Sequence, residues 1–147
     1  MSQTAKCLQC GARGVRPQRR LGRLHRFRNT NLYVPSSLEL STCRRCGRQV
    51  HSQEQNQALL KVLSEEYQTQ LSGRAIQALE SLRSHISKRR LEILVDLSQG
   101  YLSKVSASAQ APSAVLVSLL VLLAADPKRL LELEHYWLIP IPHQESK

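Results

Sequence analysis

Aromatic side chains are scarce. One Trp, one Phe and four Tyr in 147 residues exclude a core built on stacked rings, so the 41% hydrophobic content must pack as an aliphatic core. A long apolar run is missing as well. The longest, Ala114 to Ala125, is about a dozen residues broken by Ser118, whereas a membrane-spanning helix needs about 20. It reads as a buried helix. Met1 to Cys7 is polar with no apolar run behind it, so no secretory signal is expected and the chain is read as intracellular. Repeats are absent. Acids are nearly absent from the first third: Glu39 stands alone in residues 1–50 against eleven Lys/Arg, while residues 51–147 hold ten of each sign. The whole formal excess of +10 therefore sits on the N-terminal third and points to a polyanionic partner. No paired carboxylates share a face with a histidine, and His85, His135 and His143 lie in unrelated contexts, so no catalytic set is expected and an enzyme is not the reading. The length allows one ordinary domain or two small ones.

Four cysteines form two pairs, Cys7-Leu8-Gln9-Cys10-Gly11 and Cys43-Arg44-Arg45-Cys46-Gly47, with 32 residues between them. Two such knuckles place four thiolates tetrahedrally around one ion, and each following Gly lets the backbone turn tightly toward the sulfurs. This is a zinc-ribbon signature. Two disulfides or free thiols are the alternatives, and an intracellular chain disfavours the disulfides. A Cys₄ shell leaves no open position, so one structural Zn²⁺ is expected. Its binding, worth about 10–16 kcal/mol, would supply stability that so small a module lacks. His25 and His51 are further possible ligands, but the four cysteines already fill the shell.

Between the knuckles, Leu24 to Leu40 is rich in β-favouring residues broken by Asn-Thr-Asn and Pro-Ser-Ser, and reads as short strands. The same region carries Arg13, Arg16, Arg19, Arg20, Arg23, Arg26 and Arg28, with Arg44 and Arg45 in the second knuckle. Arg in place of Lys suits bidentate recognition of phosphate or carboxylate. The bland reading is a solvated face, but a surface with one compensating acid favours a bound polyanion. DNA, RNA and an acidic protein all remain open.

Beyond residue 50 the pattern becomes helical. Ser52 and Gln55 make a capping box, and Leu60, Leu63, Tyr67 and Leu71 fall on one face. Ser72-Gly73 is expected to end this connecting helix. A second helix, Arg74–Ser84, follows, with Ile76, Leu79 and Leu82 inward. Ser113–Ala125 reads as largely buried. Asp126-Pro127 is a cap and first-turn pair for a last helix through Leu130, Leu131, Leu133 and Trp137. Pro140 to Lys147 is read as a loose tail. The expected fold is α+β: a β-rich zinc ribbon over 1–50, a connecting helix over 51–72, and an all-α five-helix domain over 73–147.

Ser87 to Ser113 shows two short helical patterns joined by a tight turn. Leu91, Leu94, Val95 and Leu97 form the first apolar face, and Leu102 and Val105 the second. Lys88, Arg89 and Arg90 crowd the first turn after Ser87, where cations oppose the helix dipole unless a phosphate docks there. The second helix is expected to start from a Ser98 cap, which leaves Gln99, Gly100, Ser103 and Lys104 outward. Gln pairs with adenine and Lys reaches guanine. Gly100, inside a helix, would cost about 1 kcal/mol against Ala. Tyr101 touches a phosphate or thymine methyl, or packs.

This stretch resembles, without a gap, the helix-turn-helix of the XRE (phage-repressor/Cro-type) family. Ser87, Leu91, the Asp96-Leu97-Ser98 turn, Leu102, Val105 and Pro112-Ser113 carry the resemblance. Where the family has Ala in helix two this chain has Glu92. The usual turn Gly is Asp96, the usual Glu ending helix three is Ser106, and the usual loop Gly is Ser108. The resemblance implies a sequence-specific DNA-binding regulator, a repressor acting as a homodimer on a pseudo-palindrome. Equivalents of Gln99, Gly100 and Lys104 read bases there, and that of Lys88 holds the backbone. A two-CxxC ribbon, a connecting helix and an XRE-type domain, in that order, is similar to the MqsA-type antitoxins. In those the zinc domain engages a toxin, which here implies a possible acidic protein partner. Such a protein is cytoplasmic, nucleoid-associated, and bacterial or phage. A structural nucleic-acid-binding factor acting on RNA is the remaining class.

Overall fold

In the computed structural model, which describes residues 5–142, five strands precede five helices. The class is α+β, strand-rich first and helical after, as the sequence indicates. The end of the tail, with His143, lies outside the described residues. The chain divides into two compact units, Met1–Tyr67 and Gln68–Lys147.

In the first unit, β1 (Ala5–Lys6), β2 (Arg13–Gln18) and β5 (Leu40–Cys43) form an antiparallel sheet in the order β1-β2-β5. Val15 lies opposite Cys43, and Gln18 opposite Leu40. Pro17 of β2 lies opposite Ser41 of β5. β3 (Arg23–Phe27) and β4 (Thr30–Val34) make a separate hairpin. Leu32, Val34 and Leu40 are buried from the strands, as are Leu59, Leu63 and Tyr67 from the helix α1 (Gln53–Leu82). The hairpin tip is anchored on α1. Phe27 meets Tyr67 edge-on at 5.6 Å, and the Tyr67 hydroxyl donates to Asn29 Oδ1 at 3.2 Å.

The capping box forms as read. Gln55 N–H donates to Ser52 Oγ, and Ser52 N–H donates to Gln55 Oε1, both at 3.2 Å. Gln55 also exchanges hydrogen bonds with the Ser41 hydroxyl of β5. This ties the first turn of α1 to the sheet. The inward stripe is Leu59, Leu63, Tyr67 and Leu71, whereas Leu60 is 49% exposed; the apolar pair Leu59-Leu60 let the face be drawn one residue off.

Ser72-Gly73 does not end the helix. α1 runs unbroken from Gln53 to Leu82, so the expected connecting helix and the helix at Arg74–Ser84 are one element. Gly in a helix costs about 1 kcal/mol against Ala. Burial of Leu71, Ala75, Ala78, Leu79 and Leu82 outweighs that. A β-carbon on Gly73 would meet nothing within 4 Å, so Gly73→Ala is expected to stabilise the protein by about 0.5–1 kcal/mol. Urea unfolding followed by far-UV circular dichroism checks this, and an unchanged or lower midpoint would contradict it.

The second unit holds the rest of α1 and the helices α2 (Lys88–Leu94), α3 (Tyr101–Ser106), α4 (Ala114–Ala125) and α5 (Arg129–Leu138). Its core is aliphatic, as the composition requires: Leu79, Leu82, Leu91, Leu102, Val105, Leu116, Leu120, Leu123 and Leu130 are all buried. Ser87 caps α2 through Arg90 N–H, and Ser113 caps α4 through Leu116 N–H. α5 begins at Arg129, two residues later than Asp126-Pro127 suggested. Asp126 still accepts Lys128 N–H at 3.3 Å, in a turn that leads into the helix. α4 is not largely buried, since Val115, Val121 and Leu122 are exposed. Among the described residues no helix is long and apolar enough to cross a membrane.

Candidate metal centre and nucleic-acid interface

The two knuckles have the same backbone plan. Cys7 N–H donates to Ala12 O and Gly11 N–H to Cys7 O; Cys43 N–H donates to Arg48 O and Gly47 N–H to Cys43 O, all at 2.8–2.9 Å. Gly11 and Gly47 take the left-handed φ, +70° and +73°, which a side chain would resist. β5 ends on Cys43, and Cys7 follows β1 directly. The β2–β5 register then brings the knuckles together.

All four sulfurs lie within 4.8 Å of one another. Cys7 Sγ is 3.6 Å from Cys46 Sγ, and Cys10 Sγ is 3.6 Å from Cys43 Sγ. None is in a disulfide. The arrangement is compatible with one metal ion. The backbone amides of Cys10 and Gln9 pull Cys7 down to about 6, and the amide of Cys46 heads the causes that lower Cys43. Arg48 N–H favours the Cys46 thiolate, but desolvation and the three neighbouring sulfurs outweigh it and push Cys46 up to about 11. Four thiolates so close would repel one another without a cation between them.

His25 and His51 stand outside this cluster. His25 Nε2 bonds Gln49 Oε1 at 2.8 Å. His51 lies 6.5 Å from it, ring to ring. Desolvation, with His25 nearby, lowers its pKa.

The arginines of the first unit divide by environment. Arg13, Arg16, Arg20, Arg26, Arg44 and Arg45 are exposed. Arg19 takes Glu39, the lone acid of residues 1–50, at 2.9 Å. Arg28 lies 5.2 Å and 5.5 Å from the Tyr67 and Phe27 rings. Arg23 is a clamp: its guanidinium donates to the carbonyls of Gln18, Pro35 and Leu38. Two cations were passed over in the sequence. Lys6 is the cross-strand partner of Arg13, and Arg48 reaches from one knuckle to Gln9 of the other at 3.0 Å. Their signal was the plain count of eleven cations. Like charges opposed on neighbouring strands are unfavourable.

In the second unit, Lys88, Arg89 and Arg90 are exposed at the start of α2. Arg90 is also bonded to Glu134 of α5 at 2.9 Å, and Arg89 lies 3.9 Å from Glu92. On α3, Leu102 and Val105 are fully buried. Gln99, Ser103 and Lys104 are exposed, and Gly100 and Tyr101 half-buried. The helix does not start from a Ser98 cap. It begins at Tyr101 from Gly100, whose φ is +81°, so Gly100 serves a backbone conformation rather than sitting within the helix. The cap comes from elsewhere. Glu92 of α2, only 2% exposed, accepts Gly100 N–H on Oε2 at 3.2 Å and Leu102 N–H on Oε1 at 3.0 Å. A carboxylate is the right group for the positive end of a helix. Compared with known proteins, the chain matches no protein-family model, no curated protein and no solved structure.

Proposed function

We propose that this chain is a sequence-specific DNA-binding regulator, with α2, its turn and α3 acting as a helix-turn-helix of the XRE type and the cysteines holding one structural Zn²⁺. The observation that carries the reading is the backbone of the turn and loop. Asp96 and Ser108, which stand where that family has glycine, take φ of +55° and +56°, a conformation that non-glycine residues adopt at a cost. Positive φ at these two non-glycine positions supports the reading. The pattern leaves Gln99, Ser103 and Lys104 outward, above buried Leu102 and Val105. For the ion, Zn–S bonds of about 2.3 Å imply tetrahedral sulfur separations of about 3.8 Å, close to the 3.6 Å of the Cys7–Cys46 and Cys10–Cys43 pairs, with all four sulfurs within 4.8 Å. As a homodimer, two α3 helices would read half-sites about 34 Å apart. Lys88, Arg89 and Arg90 would hold phosphates, and the Arg-rich first unit would supply most of the attraction.

Selection of bound duplexes from a random pool tests this directly. Against the selected site, Lys104→Ala or Gln99→Ala is expected to cost about 1–3 kcal/mol of discrimination, and Arg89→Ala to weaken all sequences alike and lower the salt slope. Equal loss on selected and random DNA for Lys104→Ala would remove α3 as the reader.

A second reading has one observation in its favour. Leu8, Leu21, Leu24 and Tyr33 are exposed among the arginines of the first unit, which suits an acidic protein with apolar contacts better than phosphates alone. In that reading the chain is antitoxin-like, and its DNA binding serves autoregulation. Arg13→Glu with Arg26→Glu would then leave affinity for the selected duplex nearly intact, whereas the first reading predicts a large loss.

A further inference from the structure

The second unit leaves an apolar face uncovered. Ala114–Ala125 has one polar residue, Ser118, and a helix apolar on all sides belongs inside an assembly. The core covers Leu116, Val117, Leu120 and Leu123. Val115, Leu119 and Leu122 follow the spacing of a second stripe, with Val115 81% and Leu122 64% exposed. Leu119 lines an open groove of about 800 Å³ together with Ile93 of α2 and Leu133, Trp137 and Leu138 of α5.

From the rim of that groove the chain continues as an arm, Leu138-Ile139-Pro140-Ile141-Pro142. Ile139 leaves the helix in an extended conformation, and Leu138, Ile139 and Ile141 are exposed, so the arm does not fill its own groove. Two prolines keep it from forming helix or ladder and preset an extended shape, which lowers the entropy lost on docking.

We propose that this face is an isologous interface with a second copy of the chain, in which the groove of each copy receives the apolar arm of the other. Groove and arm occur on one chain and meet at Leu138, as a two-fold contact requires. The charges agree. Of the rim charges Arg90, Asp96 and Glu134, Arg90 and Glu134 are already paired. Residues 68–147 hold nine basic and seven acidic residues, so two copies meet with little repulsion. A strongly charged partner would find a single charge, Asp96, outside that pair. A small ligand would find few free polar groups to orient it. The inference rests on the reading of paired half-sites, but it is measured without DNA.

Trp137 is the chain's single Trp and is 66% exposed on this face, so it reports the contact. The full chain is examined by analytical ultracentrifugation and Trp emission as concentration is raised. The expected result is a two-chain mass, with emission that shifts to the blue as the dimer forms. Leu122→Asp and Ile141→Asp, both at exposed positions, are expected to weaken association about thirtyfold or more with unchanged circular dichroism. A monomer with red emission at every concentration overturns the proposal and leaves the face to some other partner. Blue emission at monomer mass, independent of concentration, overturns it in favour of an arm folded on its own groove. A dimer unaffected by both substitutions places the contact elsewhere. Gel shifts separate the two ideas: a monomer that binds one half-site sinks this inference alone, and a dimer that binds no selected site sinks the DNA reading alone.

Discussion

Chelation of the metal, or Cys43→Ser, is expected to unfold the strands of the first unit while the second unit stays folded. Around the cysteines the buried cluster consists of Cys7, Val15 and Cys43, with Cys10 and Val50 partly buried against it. That is too little apolar surface to order the knuckles unaided. Without the ion, the four sulfurs within 4.8 Å repel as thiolates or must take up protons. Desolvation and the neighbouring sulfurs push Cys46 up to about 11, so it holds its proton in the absence of an ion. Metal binding therefore releases protons and weakens as pH falls. The readout has an internal control. Amide resonances of Val15 and Thr42 should collapse toward random-coil positions, while emission from Trp137, in the second unit, should not move. An apo protein that keeps the Val15–Cys43 pairing would show that the knuckles stand without a metal.

The cysteine cluster was legible because a CxxC-Gly knuckle is a local object. The hydrogen bonds that build it span five residues, and the sequence displays all of them. Two caps were legible for the same reason: Ser52 and Ser87 each act within three residues. Misreadings came where a distant contact decided the outcome. Ser72-Gly73 carries a local stop signal of about 1 kcal/mol, and burial of Leu71, Ala75 and Leu79 on either side overrides it. Arg23 was counted with the other arginines because nothing local says that its guanidinium will meet the carbonyls of Pro35 and Leu38. The apolar run of α4 reads as core because composition does not tell a helix buried in its own chain from one with a side left over.

Glu92→Ala is expected to destabilise the second unit strongly, although alanine is what the resembled family carries there. The carboxylate is fully enclosed, and its two oxygens serve two different N–H groups at the start of α3. Truncation leaves both donors without their acceptor, the Leu102 amide in a buried setting, and each such orphan costs about 1–3 kcal/mol. It also leaves a cavity and removes the anion near Arg89. A total of about 3 kcal/mol is expected, a large share of the 5–15 kcal/mol typical of a whole domain. Glu92→Gln should cost less, because its carbonyl still accepts one bond, but its amide nitrogen faces a second donor and cannot accept. The order wild type, Gln, Ala in urea midpoint checks this, together with amide exchange that accelerates at Gly100 and Leu102 before it does along α4. If exchange rises equally everywhere, the loss is one of general packing and Glu92 is not a cap. The functional consequence follows from position. Gly100, at φ +81°, is the hinge between turn and helix, and Glu92 is the side chain that fixes its amide. Loosening it should weaken binding to the selected duplex more than the stability loss explains, in protein that is still folded, because the turn and α3 would no longer present Gln99 and Lys104 in one register. A Glu92→Gln protein that is folded and binds the site with undiminished discrimination would separate the cap from recognition and leave it a purely structural device.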